Sequence, residues 1–383
     1  MKFVRRNGSY CLMNNLQFCC PCHFGLESVL AYEIRQIGGE NIAATDGKVI
    51  FEGNINTLIK ANICLRTAER VLIVVKTFKA TSFEELFEGT KSAEWEKFIP
   101  KTGAFPVKGF SLNSKLFSIP DCQSIIKKAI VERLKSVFRI SWLEETGAVF
   151  QVRFSIFKDQ VMLMLDSSGA GLHKRGWRRV SNAAPIKETL AAGLVDLARV
   201  RDFSTVYDPF CGSGTIVIEA ALKAMNIAPG LNRRFASENW PYAPKNLWNT
   251  EKERCVSQIK QNASFSAFAS DIDPSAIEIA KENAKKAGVA ERIHFSCADI
   301  TEFKPESEKA VIICNPPYGE RLFEVEACEK LYKTMGGVFP DKEGQSYYII
   351  ASHDGFEQHF GRTANKRRKL YNGMLKCQLF MYF

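Results

Sequence analysis

The segment "TVYDPFCGSGTIVIEAALKAM", residues 205–225, decides the fold class. It starts as a short apolar strand, turns at Gly212 and Gly214, and continues as an apolar helix. Glycine lets a backbone turn tightly against a ligand, and the following helix offers the positive end of its dipole. The glycine spacing is neither that of dinucleotide-binding loops nor that of phosphate-binding loops. The segment therefore predicts a ligand-binding turn of another class in an α/β fold, with a purely structural turn as the alternative.

Strand-like and helix-like segments alternate through the C-terminal half. The clearest helix-like stretch covers residues 274–287 and has Pro274 at its start. This alternation predicts a parallel sheet with helices on both faces. Near the end of the chain, Asn372-Gly373 lies between two strand-like runs and is the preferred signal of a type I′ hairpin. The strand-like segments before that hairpin are residues 205–210, 267–273, 292–299, 310–317 and 345–352.

The N-terminal half has a different pattern. Amphipathic helices are predicted over residues 24–39 and 122–138, with short strand-like runs around them. This half is predicted to form one or two small α+β modules. Residues 167–185 are rich in Gly, Ser and basic residues, and they are the best candidate for a linker to the C-terminal half.

Composition and charge narrow the range of functions. The chain is 46% hydrophobic and 25% charged, as globular proteins are, and its net charge is +10. Residues 101–200 hold 16 Lys/Arg against 8 Asp/Glu, which favours a surface that meets a polyanion over a basic surface without a partner. No apolar run has membrane-spanning length and no signal-peptide pattern is present. The twelve cysteines are therefore expected to be reduced thiols in a cytoplasmic protein.

Two aspartates end successive predicted strands after the glycine turn. Asp271 is placed to accept hydrogen bonds from ribose hydroxyls, with Asp273 as the near competitor, and Asp299 to accept one from an adenine amino group. Each aspartate alone is more often a helix cap or a turn residue. Ligands of open α/β sheets bind where the parallel strands end. The glycine turn, the two acids and the motif described next together predict a nucleoside site.

The segment "VIICNPPYGE", residues 311–320, supplies the chemistry. An exocyclic base amine is a poor nucleophile because its lone pair is delocalised into the ring. The side-chain oxygen of Asn315 and the carbonyl of Pro316 would accept its N–H bonds and turn the lone pair towards a methyl donor. Tyr318 would stack on a base taken out of its helix. A rigid Pro-Pro turn without chemistry is the alternative.

Residues 18–23, "FCCPCH", raise the question of a metal site. Adjacent ligands fit tetrahedral zinc poorly, and side chains that alternate along a strand point apart. The five histidines form neither a hydrolase triad nor an HExxH motif. No metal is therefore expected, and Cys211 is interpreted as a small packing residue.

These residues resemble the class I S-adenosylmethionine-dependent methyltransferases, and among them the THUMP-domain RNA methyltransferases. The catalytic motif of that family continues as NPPYGER, which is intact here from Asn315 to Arg321. Residues 24–34 are similar to the family's ferredoxin-like module, residues 114–134 to its THUMP domain, and residues 227–241 to an insertion after the first catalytic helix. The resemblance implies an α/β fold: a Rossmann-like seven-stranded sheet with a C-terminal antiparallel hairpin, preceded by α+β ferredoxin-like and THUMP modules.

The resemblance also implies domain boundaries, a cofactor and site residues. The domains would be residues 1–60, 61–167 and 168–383, and residues 1–12 precede the usual start of the family's first strand. Residues 187–189 are expected to flank the cofactor pocket without an assigned role. For S-adenosylmethionine, the methionine side would be lined by Asp208, Gly212 and Gly214, the ribose by Asp271 and the adenine by Asp299. The remaining cofactor-binding residues would be Phe210, Cys211, Ser213, Ile272, Ile300 and Asn315. The target base would be held by Asn315, Pro316, Pro317 and Tyr318.

The predicted function is transfer of a methyl group to the N2 amine of a guanosine in 23S ribosomal RNA, with Lys174, Arg175, Arg178 and Arg179 in contact with the RNA. The same chemistry on transfer RNA is the closest alternative. A DNA adenine-N6 methyltransferase would use the NPPY motif in the same way, but it would need a domain that reads bases in the major groove. A non-catalytic RNA-binding protein is the third alternative, and intact residues at four strand ends argue against it.

Overall fold

Two seven-stranded mixed sheets, one in each half of the chain, make up the fold. The computed structural model describes residues 15–178, 186–319 and 322–383. Predictions made above for residues 1–12, Arg179, Glu320 and Arg321 lie outside these described residues. None of the described helices is both long enough and apolar enough to cross a bilayer.

The N-terminal sheet is continuous across the two predicted modules. Its strands are β1 (Leu16–Pro21), β2 (Glu40–Thr45), β3 (Lys48–Gly53), β4 (Leu72–Lys79), β5 (Val107–Leu112), β6 (Val152–Phe157) and β7 (Gln160–Asp166), and its helices are α1 (Glu27–Gln36), α2 (Ile55–Cys64), α3 (Phe83–Lys91) and α4 (Ile119–Phe138). The strand order is β2-β3-β1-β4-β7-β6-β5. Because β4 pairs with both β1 and β7, the two modules share one ladder of backbone hydrogen bonds. The boundary between them at residues 60 and 61 stays a prediction.

The C-terminal sheet has the predicted architecture. Its strands are β8 (Thr205–Asp208), β9 (Ser266–Asp271), β10 (Ile293–Cys297), β11 (Ala310–Cys314), β12 (Gln345–Ala351), β13 (Lys366–Asn372) and β14 (Leu375–Tyr382), and its helices are α5 (Glu188–Leu197), α6 (Thr215–Ala224), α7 (Lys245–Ser257), α8 (Pro274–Ala287), α9 (Leu322–Val338) and α10 (Phe356–Phe360). Strands β8 to β12 are parallel, and β14 and β13 add an antiparallel edge. The predicted fold class is confirmed.

The strand order of this sheet reverses between β8 and β11. It reads β10-β9-β8-β11-β12-β14-β13, so successive strands run outward in both directions from that point. In open α/β sheets, ligands bind at the carboxyl ends of the strands where the order reverses. Asp208 is the last residue of β8, and Asn315 follows the last residue of β11. The topology therefore brings the glycine turn and the NPPY motif to one place.

The closing hairpin is present, but its turn differs from the prediction by one residue. Asn372 pairs with Leu375, so the two turn residues are Gly373 and Met374. Gly373 has φ +63° and Met374 is not in the positive-φ region. This is the pattern of a type II′ turn rather than the predicted type I′ turn. The Asn372 backbone thus stays in the ladder, and its side chain reaches the candidate site.

A buried ion pair joins the two halves of the chain. Arg175 Nε lies 3.1 Å from Glu219 Oε1 on α6, and the two side chains are 2% and 0% exposed. Arg175 also donates to the carbonyls of Leu172 and Arg66, at 2.9 and 2.5 Å. Arg66 in turn donates to the carbonyl of Ile227 at 2.6 Å. The described part of the predicted linker, residues 167–178, is therefore a packed part of this junction.

Candidate active site

A cleft of about 900 Å³ opens at the carboxyl ends of the parallel strands, a size common for small-molecule sites. It brings together every predicted cofactor-binding and base-binding residue except Gly214. Gly214 precedes α6 with φ +80°, and a Cβ there would lie 3.1 Å from the Cβ of Ala280. This glycine therefore permits close packing of α6 against α8 and does not line the cleft itself.

Carboxylates from two strands hold the glycine turn. Asp208 is buried at the end of β8, and its Oδ1 accepts a hydrogen bond from the N–H of Phe210 at 3.1 Å. Gly212 has φ +50° and donates its N–H to Oδ2 of Asp271 at 2.9 Å. A positive φ of this kind favours glycine over any residue with a Cβ. The turn backbone is thus fixed along the floor of the cleft, between the ends of β8 and β9.

The buried carboxyl of Asp208 suits a cationic ligand. Burial raises the pKa of Asp208 to about 8; the N–H of Phe210 opposes this rise in part, and the nearby Asp271 carboxylate adds to it. A positive charge beside such a carboxyl would stabilise its ionised form. S-adenosylmethionine carries an ammonium and a sulfonium group, so the residues at this end of the cleft fit that cofactor.

The other acids occupy different positions along the rim. Asp271 lines the cleft, whereas its competitor Asp273 caps α8 by accepting from the N–H of Ser275 at 2.8 Å. Asp299 lines the cleft and also caps a short helical turn, accepting from the N–H and the hydroxyl of Thr301 at 2.8 and 2.7 Å. Ile272 lines the cleft with 68% of its surface exposed. An exposed apolar side chain between two acids fits a nucleoside with a flat base and a polar sugar.

Hydrogen bonds hold the NPPY motif in place. The Tyr318 hydroxyl donates to the side-chain oxygen of Asn315, and the Asn372 amide donates to the Tyr318 oxygen at 3.3 Å. The carbonyl of Pro317 accepts from the Tyr332 hydroxyl at 2.7 Å. An amide oxygen has two lone pairs, so Asn315 can accept a further N–H while it keeps the bond from Tyr318. Sequence reasoning predicted Tyr318 as a stacking ring and missed this role of its hydroxyl.

Lys187 and Thr189 connect the cleft with the N-terminal half. Lys187 lines the cleft and lies 3.3 Å from the Glu69 carboxylate, which also accepts from the Thr189 hydroxyl and lies 3.2 Å from His23 Nε2. Although burial alone would raise the pKa of Glu69, hydrogen bonds from His173, His23 and Thr189 hold that pKa well below its usual range. Glu69 precedes β4 by three residues and Thr189 is 120 residues further along, so no local sequence signal could have paired them.

The predicted RNA contacts divide into exposed and buried residues. Lys174 is exposed. The prediction that Arg175 contacts the RNA is wrong, because its guanidinium is buried against Glu219 and two backbone carbonyls. Arg178 is partly buried and donates to the Ile186 carbonyl at 3.1 Å and to a threonine hydroxyl in the cleft lining. The basic run thus serves the junction as much as the surface.

The cysteines of residues 18–23 do not converge. Cys20 and Cys22 pack into the large N-terminal core, while Cys19 packs on the other face of β1. Within the described parts of the chain, the side chains that approach one another like metal ligands are instead Cys64, Glu251 and Cys255, with their sulfur atoms 3.6 Å apart. The Arg254 guanidinium bonds Glu251 at 2.5 Å and lies within 4 Å of both sulfurs, so a positive charge is already supplied there.

Three family models match the chain. The RlmL ferredoxin-like domain matches residues 17–72, the THUMP domain residues 80–166, and the RMKL-like methyltransferase domain residues 175–380. The third match covers more than half of the chain and includes every residue that lines the cleft.

The similarity to individual proteins extends over nearly the whole chain. A Bacillus subtilis protein named "Putative RNA methyltransferase YpsC" is 49% identical over 361 residues, which are 94% of each chain. The Psychromonas ingrahamii "Ribosomal RNA large subunit methyltransferase K/L" is 34% identical over 379 residues, 96% of this chain but 50% of that protein. This chain thus spans half the length of that relative. The crystal structure of "SMU.472, a putative methyltransferase complexed with SAH" is 39% identical with a TM-score of 0.92, covering 97% of this chain and 98% of the other.

Proposed function

Because the chain belongs to the RMKL-like methyltransferase family, whose cofactor is S-adenosylmethionine, we propose that it methylates the exocyclic N2 amine of a guanosine in 23S ribosomal RNA. One observation carries the proposal: Asn315 and the glycine turn that follows Asp208 line the same cleft. An acceptor for amine protons beside a methyl-donor site is the arrangement that exocyclic amine methylation needs.

The protein acts by positioning. Asn315 Oδ1 and the carbonyl of Pro316 accept the two N–H bonds of the target amine and turn its lone pair out of conjugation with the base. The Tyr318 hydroxyl, which accepts a hydrogen bond from Asn372, holds the Asn315 side chain, and the Tyr332 hydroxyl holds the Pro317 carbonyl. Bound S-adenosylmethionine would supply an electrophilic methyl group: the amine nitrogen would form the new N–CH3 bond as the S–CH3 bond breaks, S-adenosylhomocysteine would leave, and the methylated amine would lose one proton to water. Fixing reacting groups at attack distance can account for a large part of the barrier reduction without a covalent intermediate.

Support for RNA as the substrate comes from the N-terminal sheet as well as from the THUMP domain and the names of the relatives. Along β5, Lys108, Phe110 and Leu112 point to one face, where the last two are 54% and 55% exposed. Phe157 of β6 pairs beside Leu112 and is 46% exposed, with Lys158 5.3 Å from its ring centroid. Exposed aromatic rings interleaved with lysines suit unpaired bases and their phosphates. We refer to these five residues as the β5–β6 face.

Ribosomal RNA is preferred over transfer RNA because the K/L relative aligns along 96% of this chain. A DNA adenine methyltransferase is disfavoured because the ferredoxin-like and THUMP matches occupy the N-terminal half, where a domain that reads the major groove would have to lie.

The test is methyl transfer from radiolabelled S-adenosylmethionine to ribosomal RNA, transfer RNA and DNA from cells that lack the gene, followed by mass spectrometry of the labelled nucleoside. We expect N2-methylguanosine in 23S RNA. Label in transfer RNA alone would overturn the choice of RNA, and label only in N6-methyladenine of DNA would overturn the proposed function. The Asn315→Ala variant is the matched control, since label that persists in it comes from a contaminating enzyme.

A further inference from the structure

The hairpin of β13 and β14 carries an apolar side chain at its tip. Met374 is 96% exposed, more than any other large hydrophobic residue in the described parts of the chain. A single exposed apolar side chain is ordinary on a protein surface and carries no inference by itself. Met374 differs from other exposed apolar residues in its position beside the cleft, in the contacts that hold its hairpin, and in the basic residues around it.

Met374 stands at the rim of the candidate active site. The residues on both sides of it, Gly373 and Leu375, line the cleft, and so does Asn372. The Asn372 amide is also the group that bonds the Tyr318 hydroxyl beside the catalytic amide. The tip of the hairpin and the base-binding motif are therefore two walls of one opening.

The hairpin of β13 and β14, called the arm below, is held by contacts with the N-terminal half. Arg368 of β13 donates to the carbonyl of Gly25 at 3.0 Å, and the ring of Tyr371 packs edge-on against Phe24 with centroids 5.9 Å apart. A Cβ on Gly25 would lie 2.3 Å from the carbonyl oxygen of Lys369, so this glycine allows the two segments to touch. The N-terminal half thus holds the tip at a fixed position relative to the cleft.

The arm is basic along its length. Residues 366–382 contain five Lys/Arg and no Asp/Glu. Lys369 and Lys376 are exposed on the two strands below the tip. Lysines beside an apolar tip are the combination found where a protein holds phosphates and inserts a side chain between bases.

We propose that Met374 is a wedge that enters the RNA base stack at the position from which the target guanosine is withdrawn into the cleft. The proposal rests on the function proposed above, and it specifies the substrate further: the guanosine is stacked within a helix before it is methylated. Taking a base out of a helix costs unstacking energy, and an apolar side chain that fills the vacated space offsets part of that cost. Met374 is thus a positioning residue that touches the neighbouring bases and not the reacting atoms.

The test uses two synthetic RNAs made around the methylated guanosine once it has been mapped. In one RNA the guanosine is paired and stacked within a stem; in the other it lies in an internal loop of uridines in the same stem, where it is neither paired nor firmly stacked. The measured quantity is the ratio of kcat/KM on the loop RNA to that on the paired RNA. We expect Met374→Ser to raise this ratio by about 10- to 100-fold, since unstacking costs a few kcal/mol, and Met374→Leu to change it much less.

Two further measurements separate a wedge from a structural role. The Phe203→Ser variant removes a ring that is 72% exposed and precedes β8, at the amino ends of the parallel strands and thus away from the cleft at their carboxyl ends; it should leave the ratio unchanged. A 2-aminopurine next to the target should brighten when the wild-type protein binds, and much less with Met374→Ser. An unchanged ratio in Met374→Ser, or a target that is unpaired in the native RNA, would overturn the wedge while N2-methylguanosine formation still upheld the function. Absence of any methylated RNA with the wild-type protein would overturn both.

Discussion

Replacing Arg175 by methionine should destabilise the fold and leave the RNA-binding surface intact. The guanidinium is 2% exposed, lies 3.1 Å from Glu219, and donates to the carbonyls of Leu172 and Arg66. Methionine approximates the length of the arginine stem but carries neither its charge nor its donors. Glu219 would then remain buried without its cation.

The expected loss is about 3–5 kcal/mol in the free energy of unfolding, the usual cost of removing one partner of a buried ion pair. The double variant Arg175→Met/Glu219→Leu should recover part of that loss, because an apolar pair replaces an unpaired charge. It should not recover all of it, since the Leu172 and Arg66 carbonyls still lack their donor.

Urea unfolding followed by far-ultraviolet circular dichroism would measure these free energies. The matched control is Lys174→Met, which removes the neighbouring, exposed cation and should change stability by no more than about 0.5 kcal/mol. The control variant should bind RNA more weakly at low salt, whereas Arg175→Met should not, as long as it is folded. If Arg175→Met unfolded like the wild type but lost RNA affinity, the buried role would be refuted and the surface contact upheld.

Three further predictions concern the cleft. Asn315→Ala should abolish methyl transfer, because the target amine loses the acceptor that turns its lone pair towards the methyl donor. It should leave the S-adenosylhomocysteine affinity within about threefold in calorimetry, because the lost hydrogen bond is to the base; equal loss of both would mean that the residue holds the cofactor. Tyr318→Phe should lower kcat about fivefold, since one positioning bond is lost, and unchanged kcat would show that the Asn315 amide needs no such support. Because the pKa of Asp208 is raised from 3.8 to about 8, the folded protein holds this proton more tightly than the unfolded chain, so its contribution to stability is complete below pH 3.8, falls progressively as the pH rises from there, and is fully lost above pH 8. Without cofactor, the free energy of unfolding of Asp208→Asn should therefore rise relative to that of the wild type between pH 6 and 8, by at most about 1.4 kcal/mol per pH unit. If the two free energies of unfolding changed in parallel over that range, the raised pKa of Asp208 would be contradicted.

Local patterns in the sequence predicted the C-terminal half well. Short apolar runs between turn residues became β8 to β12, and Pro274 starts the helix predicted over residues 274–287. The hairpin turn was misplaced because Asn372-Gly373 is a local signal, whereas the register depends on the pairing of Asn372 with Leu375. A dipeptide preference of this kind yields to the strand ladder that continues on both sides of it.

The burial of Arg175 could not have been predicted from its neighbours. Basic residues close to one another in sequence are normally solvated, and its carboxylate partner lies 44 positions away on α6. The same holds for the partners of Glu69: His23 follows β1, His173 lies in the predicted linker, and Thr189 lies on α5. Such pairs depend on the packing of one half of the chain against the other, which hydrophobic periodicity does not encode.

The junction built from Arg66, Arg175 and Glu219 gives the molecule a property that neither half has alone. Because Arg175 and Glu219 are buried, Arg66 is partly buried, and hydrogen bonds connect the three residues with both halves, the fold fixes the distance between the β5–β6 face and Asn315. Under the proposed function, an RNA bound at the β5–β6 face would present for methylation only the nucleotide that lies at that distance along its folded path. The choice of nucleotide would then depend on the three-dimensional shape of the RNA more than on the bases beside the target. An insertion in an exposed loop of the protein would leave the distance between the β5–β6 face and Asn315 unchanged.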